Sequence, residues 1–508
     1  MTDKGLPADP NRRRFFRLFA GDVASSVGSM IGVVQALQET SAEAARELLG
    51  ADPAVAQGAT SATPALAPTG TVDASTAGYR APFKWDDDII RLVDQRRLPD
   101  ALTEIQVQGA ADAINAINDG VVVGATVQAQ IAAATLAIVA SRAVTARPFA
   151  RRATIRGAAN AFRLSRPASA PMAAALDRML ALLETMVAEE DGAVVVATLR
   201  TEAEAIILEA ADDHGAVVGH AVPVLPGGPE DQLHVMLVGS TGAMGSGTFG
   251  TALSVVATLH HEGRPVHALV PEGRPSFEGS RIAAWELRQA GVPHAILTDA
   301  AAPGCIANSE VKVVLAGADR IAANGDVIAT TGTYPIALAA YAAGVPFVVC
   351  ATTNAVDPAV ATGDDARVED GRPTTVLRAM GQRVPAEGTQ VRNPLQELVP
   401  ASLITAIVLE TGAVVAPFEE PLAAALAEAA VRRSKAAGFA ALVAKREAEA
   451  AGTIAPAPVD VAALRSTGPI PQPWPDGRRP NAPAKDAPAA DAAAADAAAA
   501  DAGGDAAG

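Results

Sequence analysis

The sequence predicts an α/β fold in which a helical N-terminal domain is followed by a Rossmann-like domain built on a parallel sheet. Three observations predict it. After Asp213, short apolar runs at 233–238, 265–270, 294–297, 311–315 and 346–349 alternate with segments mostly long enough for a helix, the pattern of parallel strands joined by right-handed crossovers. Upstream, 101–144 and 171–190 carry small and apolar residues at helical spacing. Glycine-rich turns follow several of the apolar runs, where a chain leaving a strand must bend sharply into a helix.

In chain order, residues 1–50 form an N-terminal helical extension. Asn11-Arg12-Arg13-Arg14-Phe15-Phe16-Arg17 has the layout of a twin-arginine export signal. Asp22 interrupts the weakly apolar stretch that follows, and Val23, Val27, Ile31, Val34 and Leu37 fall at helical spacing, so an amphipathic docking helix and a cytoplasmic chain are expected. Residues 51–81, rich in Ala, Thr, Pro and Gly, read as a flexible linker. The helical domain spans 82–212 and opens with a short hairpin closing at 86–88; near its end, 194–199 reads as a strand leading into a helix. The Rossmann-like domain spans 213–430, a C-terminal helix 431–455, and a Pro/Ala/Asp-rich tail 456–508 that has almost nothing larger than alanine to bury and is expected to be disordered.

Composition narrows the function. Half of the 508 residues are hydrophobic, enough for sizeable cores, and a formal charge of −16 argues against a nucleic-acid partner. The two cysteines, Cys305 and Cys350, form no CxxC pair, and the seven histidines are scattered, so neither a disulfide framework nor a metal site is expected. No apolar stretch reaches the length of about eighteen residues that a membrane span requires.

The most informative stretch is VKVVLAGADRIAANGDVIATTGTY, residues 311–334. An apolar strand turns through Ala316, Gly317 and Ala318 to place Asp319 at its carboxyl end, where open α/β sheets keep their chemistry. Gly325 and Asp326 make a tight turn, and Gly332 and Thr333 open an Ala-rich helix whose free N–H groups face an anion. The bland reading is that Asp319 pairs with Arg320 or caps a turn. Residues 239–252, GSTGAMGSGTFGTA, suggest a phosphate cradle, although they match neither a Walker loop nor a clean GxGxxG.

The order of motifs is more specific than any one of them. WDDDIIRLVDQRRLP, SRPASAPMAAALDRM, TGAMGSGTFGTAL, EGRPSFEGSRIAAWEL, GADRIAANGDV, GTYPIALAA and NPLQELVPASLITAIVLETG follow one another between about residues 82 and 430. Together they resemble the methylthioribose-1-phosphate isomerase family, within the larger group that includes the alpha, beta and delta subunits of initiation factor 2B. The resemblance implies a homodimer that converts an aldose 1-phosphate into a ketose 1-phosphate in a cleft between two domains, with no cofactor. It assigns hydrogen transfer to a cysteine and an aspartate, and the aspartate matches Asp319. By the same resemblance, Gly124, Ala125, Arg166, Gly242, Ala243, Glu278 and Thr330 stand at substrate-binding positions.

Several of these positions depart from the family pattern. The cysteine position is Gly239 with Ser240 beside it, and Cys305 and Cys350 lie on other segments. Val123 replaces an arginine beside the retained Gly124 and Ala125, Glu278 replaces a glutamine, and Ala329-Thr330 replaces an Asn-Lys pair, whereas Arg166 is retained. An arginine and a lysine are lost and a carboxylate is gained, which removes much of the charge-assisted bonding a sugar phosphate needs. Three functions follow: the isomerase with an altered site, the same fold turned to a less anionic ligand, or a non-catalytic regulatory protein. Elsewhere the bland readings are structural: His260 and His261 end a helix, Trp285 belongs to a core, Asp357 and Glu397 are solvated carboxylates or caps, and Arg281 either pairs with Glu278 or points at ligand.

Overall fold

The computed structural model describes residues 71–72, 81–247, 249–379 and 382–435. The N-terminal extension, most of the linker and the tail lie outside them. Strands β1 (Thr71–Val72), β2 (Phe83–Asp86), β3 (Ile89–Val93) and β4 (Leu102–Val107) form an antiparallel sheet in the order β1-β4-β3-β2. The β2–β3 hairpin turns at Asp87, which takes positive φ, and Phe83, Trp85, Ile90 and Leu92 are buried. Two expectations are corrected here. The expected hairpin is present but belongs to a four-stranded sheet, and Thr71–Val72, inside the expected linker, pairs with Thr103 and Leu102.

Five helices follow: α1 (Ala110–Asn118), α2 (Ala125–Arg142), α3 (Pro148–Ser165), α4 (Ala170–Thr185) and α5 (Gly192–Ala221). Helix α2 is the axis. Its alanines leave no bulk on any side, so it is buried from Val127 to Ala140 and packs on α3, α4 and α5. The expected strand at 194–199 is helical: Val195 and Leu199 fall four apart on the face that packs into the bundle core, and Asp191 caps the helix by accepting from the Ala193 N–H. Helix α5 also crosses the expected boundary at 212/213. Its first half packs in the bundle core through Leu199, Ala203 and Ile207, and its last turns enter the sheet core through Val217, Val218 and Ala221.

Strands β5 (Leu233–Val238), β6 (Val266–Pro271), β7 (His294–Leu297), β8 (Val313–Ala316), β11 (Phe347–Cys350), β16 (Ala406–Leu409) and β17 (Gly412–Val414) form a seven-stranded sheet in the order β17-β16-β11-β8-β5-β6-β7. All neighbours are parallel except β16 and β17. Alternate residues serve opposite faces: Val235, Leu237, Val313 and Leu315 meet α5, α7 (Ala252–His261) and α8 (Ala284–Ala290), while Met236, Val238, Val314 and Ala316 meet α9 (Ala302–Ala307), α10 (Thr333–Ala343) and α12 (Glu419–Lys435). A short helix, α6 (Ala243–Ser246), follows β5. A second sheet, β12 (Val356–Asp357), β9 (Arg320–Ala322), β10 (Val327–Thr330) and β15 (Gln396–Val399), stands beside the carboxyl ends of β8 and β11, and a short helix α11 (Pro373–Leu377) and the pair β13 (Arg378–Ala379) and β14 (Gln382–Arg383) lie between β12 and β15 in the chain. Helix α12 begins at Glu419, earlier than the expected 431.

Because β5 runs on to β6 on one side while β8 runs on to β11 on the other, the strand order reverses between β5 and β8. A crevice therefore opens at their carboxyl ends, the place where doubly wound sheets bind ligands.

Candidate functional site

A cavity of about 170 Å³ occupies that crevice. Val238 to Thr241 line it from the end of β5, Gly317 to Asp319 from β8, Cys350 to Thr352 from β11, and Val123 to Thr126 from the start of α2. Of the residues expected to form the site, Gly124, Ala125, Arg166, Glu278, Asp319 and Thr330 line this one cavity.

Asp319 is fastened through its backbone. Its N–H donates to the Ile328 carbonyl (2.9 Å) and its carbonyl accepts from Ala170 N–H (3.0 Å), tying β8 to β10 and to the first residue of α4. The Asp319 carboxyl accepts one hydrogen bond, from Gln396 Nε2 to Oδ2 at 3.2 Å. Burial pushes it above the usual carboxylate range, against the opposing pull of Arg166 and the Gln396 bond, and Glu278 adds to the rise. The bland pairing with Arg320 does not occur. Arg320 pairs with Asp357 and donates to the carbonyls of Pro167 (2.9 Å) and Ala168 (3.2 Å), holding the turn that carries Arg166.

Arg166 caps the end of α3 and points into the cavity with its Nε 3.1 Å from Glu369 Oε2. Glu369 also accepts from Ala168 N–H, and its own N–H donates to Gln396 Oε1. Arg166, Glu369, Gln396 and Asp319 thus form one connected set. Opposite them, Glu278 accepts from Ser240 Oγ and Ser276 Oγ, both at 2.9 Å. Arg281 neither pairs with Glu278 by hydrogen bond nor enters the cavity. Its guanidinium donates to the carbonyls of Ser276 and, at 2.6 Å, Gln95, joining this loop to the N-terminal sheet.

Two expectations about anion binding change. The N-terminus of α10 is closed by Glu397, whose Oε1 accepts from Gly332 N–H (2.7 Å) and Tyr334 N–H (2.6 Å). The glycines of 239–252 serve packing. A Cβ on Gly124 would lie 2.1 Å from the Gly245 carbonyl oxygen, so α2 and the glycine loop meet backbone to backbone. Gly242 and Ala243, expected at the site, do not line the cavity. A Cβ on Gly242 would fall 2.2 Å from the Glu286 carboxylate, which accepts from the Met244 N–H behind the wall. Burial raises the Glu286 carboxyl to about 7.

Sequence reasoning missed Glu369, Gln396 and Arg274, and set Cys350 aside as lying on another segment. Cys350 carried a usable signal, since it ends a parallel strand of the same sheet and so reaches the same crevice. Burial raises its thiol to about 12, so it is a thiol and not a nucleophilic thiolate at neutral pH. Arg274 also lines the cavity, with its guanidinium stacked 4.8 Å from the centre of the Phe277 ring. Among the described residues, no group of three or more His, Cys, Asp or Glu side chains comes together as a metal site, and no helix is long and apolar enough to cross a membrane.

Comparison with known proteins extends the geometry. The model of the initiation factor 2 subunit family matches residues 121–416. The methylthioribose-1-phosphate isomerase of Chloroflexus aurantiacus is 34% identical over 334 residues, covering 66% of this chain and 95% of that protein. Among solved structures, 5-methylthioribose 1-phosphate isomerase from Pyrococcus horikoshii OT3 superposes with a TM-score of 0.60 at 26% identity, covering 68% of this chain and 96% of that one. The delta subunit of translation initiation factor eIF-2B from A. fulgidus shares the fold, with a TM-score of 0.57 at 24% identity over 68% of this chain and 99% of that one. With the motif order, the sheet order and this coverage in agreement, the chain belongs to the initiation factor 2 subunit family and, within it, to the group of the methylthioribose-1-phosphate isomerases.

Proposed function

We propose that the chain is an intramolecular aldose–ketose isomerase acting on a small sugar derivative, with Asp319 as the group that moves the proton. The observation that carries this reading is the Asp319 carboxyl itself: it is buried in the lining of the crevice, and its raised pKa places it nearer the working pH of a general acid or base. In such a reaction the bond from C1 to the ring oxygen opens and the hydrogen at C2 passes to C1. The proton of the C2 hydroxyl goes to the ring oxygen, leaving a carbonyl at C2. No electrons enter or leave, so the residues at hand suffice. The protein so proposed is a cytoplasmic homodimer, and the names of its relatives make a sugar 1-phosphate the natural starting ligand.

The test is ketose formation from 5-methylthioribose 1-phosphate and from 5-methylthioribose, with Asp319→Asn as control. Loss of a positioned acid–base group should lower turnover about 10²- to 10⁴-fold. Equal turnover by the two proteins would retire the reading. One observation favours a second reading, a non-catalytic ligand sensor: Gly239 and Ser240 stand at the position of the thiol that the resemblance implies. A sensor would show ligand-induced thermal stabilisation with no turnover, whatever the residue at 319.

A further inference from the structure

Charge around the cavity is unbalanced in a way that bears on the ligand. Among the described residues lining it, three carboxyl groups, Glu278, Asp299 and Asp319, face two guanidinium groups, Arg166 and Arg274, and there is no lysine or histidine. Both arginines stand against other groups of the chain, and the buried Arg166 Nε makes no hydrogen bond. Arg166 stands against Glu369, only 11% of whose side chain is exposed, and Arg274 stacks on Phe277 and donates weakly to the Pro275 carbonyl. Of the backbone donors around the cavity, those of residues 273–274 and of α10 are engaged, whereas the start of α2 at Gly124 carries no side-chain cap. Asp299 accepts from the N–H groups of Gly273 and Arg274 (2.9 and 2.7 Å), and Glu397 closes α10. A dianion entering this crevice would meet Glu278 and would find the N–H groups of residues 273–274 and of the start of α10 already bound to carboxylates of the chain.

We infer that the ligand of this site is an unphosphorylated polyhydroxy aldose derivative, and that Glu278 is the residue that selects it. Resting on the isomerase reading, this inference names its substrate class. Glu278 suits that role on geometry. Two serine hydroxyls hold its carboxylate in place from β5 and from the 273–278 loop, one on each oxygen. A carboxylate accepts at about four lone-pair positions, so it retains capacity for sugar hydroxyls. The same group repels an ester dianion and accepts from a free hydroxyl. Arg166, half neutralised by Glu369, is left to orient a hydroxyl oxygen.

The experiment is calorimetric titration of the full chain, as wild type and as Glu278→Gln, with 5-methylthioribose, with 5-methylthioribose 1-phosphate and with inorganic phosphate. The wild type should bind the unphosphorylated sugar at least about tenfold more tightly than its 1-phosphate and should give no heat with inorganic phosphate. Glu278→Gln keeps the size and one acceptor of the side chain while removing its charge, and should narrow or reverse that preference by about tenfold. Tighter binding of the 1-phosphate by the wild type, a preference unmoved in Glu278→Gln, or no heat from either sugar at millimolar concentration would each overturn the inference. The wild-type comparison stands even where the variant folds poorly. Because binding is read apart from turnover, an intact preference with no ketose formed would overturn the isomerase reading alone.

Discussion

Asp319 is raised above the ordinary range by burial, and this has a consequence for stability that can be worked out by sign. In the native state its carboxyl holds a proton at pH values where the unfolded chain, titrating near 3.8, has lost it. Between those two values the native state binds more protons, so stability is fully present below about pH 3.8 and declines as pH rises through the native pKa. Asp319→Asn removes that decline. Its thermal midpoint is expected to exceed that of the wild type at pH 7 to 8 and to converge with it near pH 3, while turnover is lost; a variant less stable than wild type at pH 8 would contradict the assignment. The residue was legible because a GAD turn after an apolar strand marks the carboxyl edge of a parallel sheet. Its partners were not. Gln396 lies 77 positions away at the start of β15, and Glu369 reaches Ala168 across 201 from an irregular segment, so no local pattern announces either contact.

At the level of elements, the glycine loop and α2 form a rigid joint. Gly124 adopts φ +109, and a Cβ there would strike the Gly245 backbone, while Gln130 on the next turn donates to the Ser246 carbonyl at 2.7 Å. Gly124→Ala should therefore combine backbone strain with a steric clash and cost about 2–4 kcal/mol in urea unfolding; a loss under about 1 kcal/mol would show that α2 and the loop separate easily. The motif was visible as a glycine-rich turn, but its packing role was not, because close backbone approach and a phosphate cradle call for the same residue. Helix α10 offers a parallel case. Its start was legible at Gly332 and Thr333, yet nothing local announced that Glu397 from β15 would close it. Glu397→Ala should lower stability by about 1 kcal/mol, an effect on α10 measurable as earlier amide exchange at 334–336.

Across the whole molecule, the strands were far more legible than the bundle. Strands 233–238 and 294–297 occupy their expected positions, and the others shift by one or two residues, because a parallel strand buried on both faces is an unbroken apolar run. Helix α5 was cut in two by the same logic, since Val194, Val195 and Val196 imitate such a run inside a helix of thirty residues. That helix is what makes the bundle and the sheet one body, and its middle carries the acidic pair that the fold then has to satisfy. Asp213 is buried and pairs with Arg432 of α12, with Glu410 nearby on the loop after β16 and itself bound to Thr353. Burial, reinforced by Glu410, raises the Asp213 carboxyl, and Arg432 is the cation that opposes the rise. Arg432→Met keeps the length of the side chain and removes its charge, so that an ionised Asp213 would be left without its cation. The expected cost is about 1–3 kcal/mol, below that of a fully buried pair because 39% of the Arg432 side chain remains exposed. The sign of the pH dependence follows. Protonation of Asp213 removes the uncompensated charge, so the deficit should shrink as pH falls from 8 to 5, and denaturant midpoints of variant and wild type should approach one another. A deficit that stays constant over that range would mean that Arg432 contributes through packing alone.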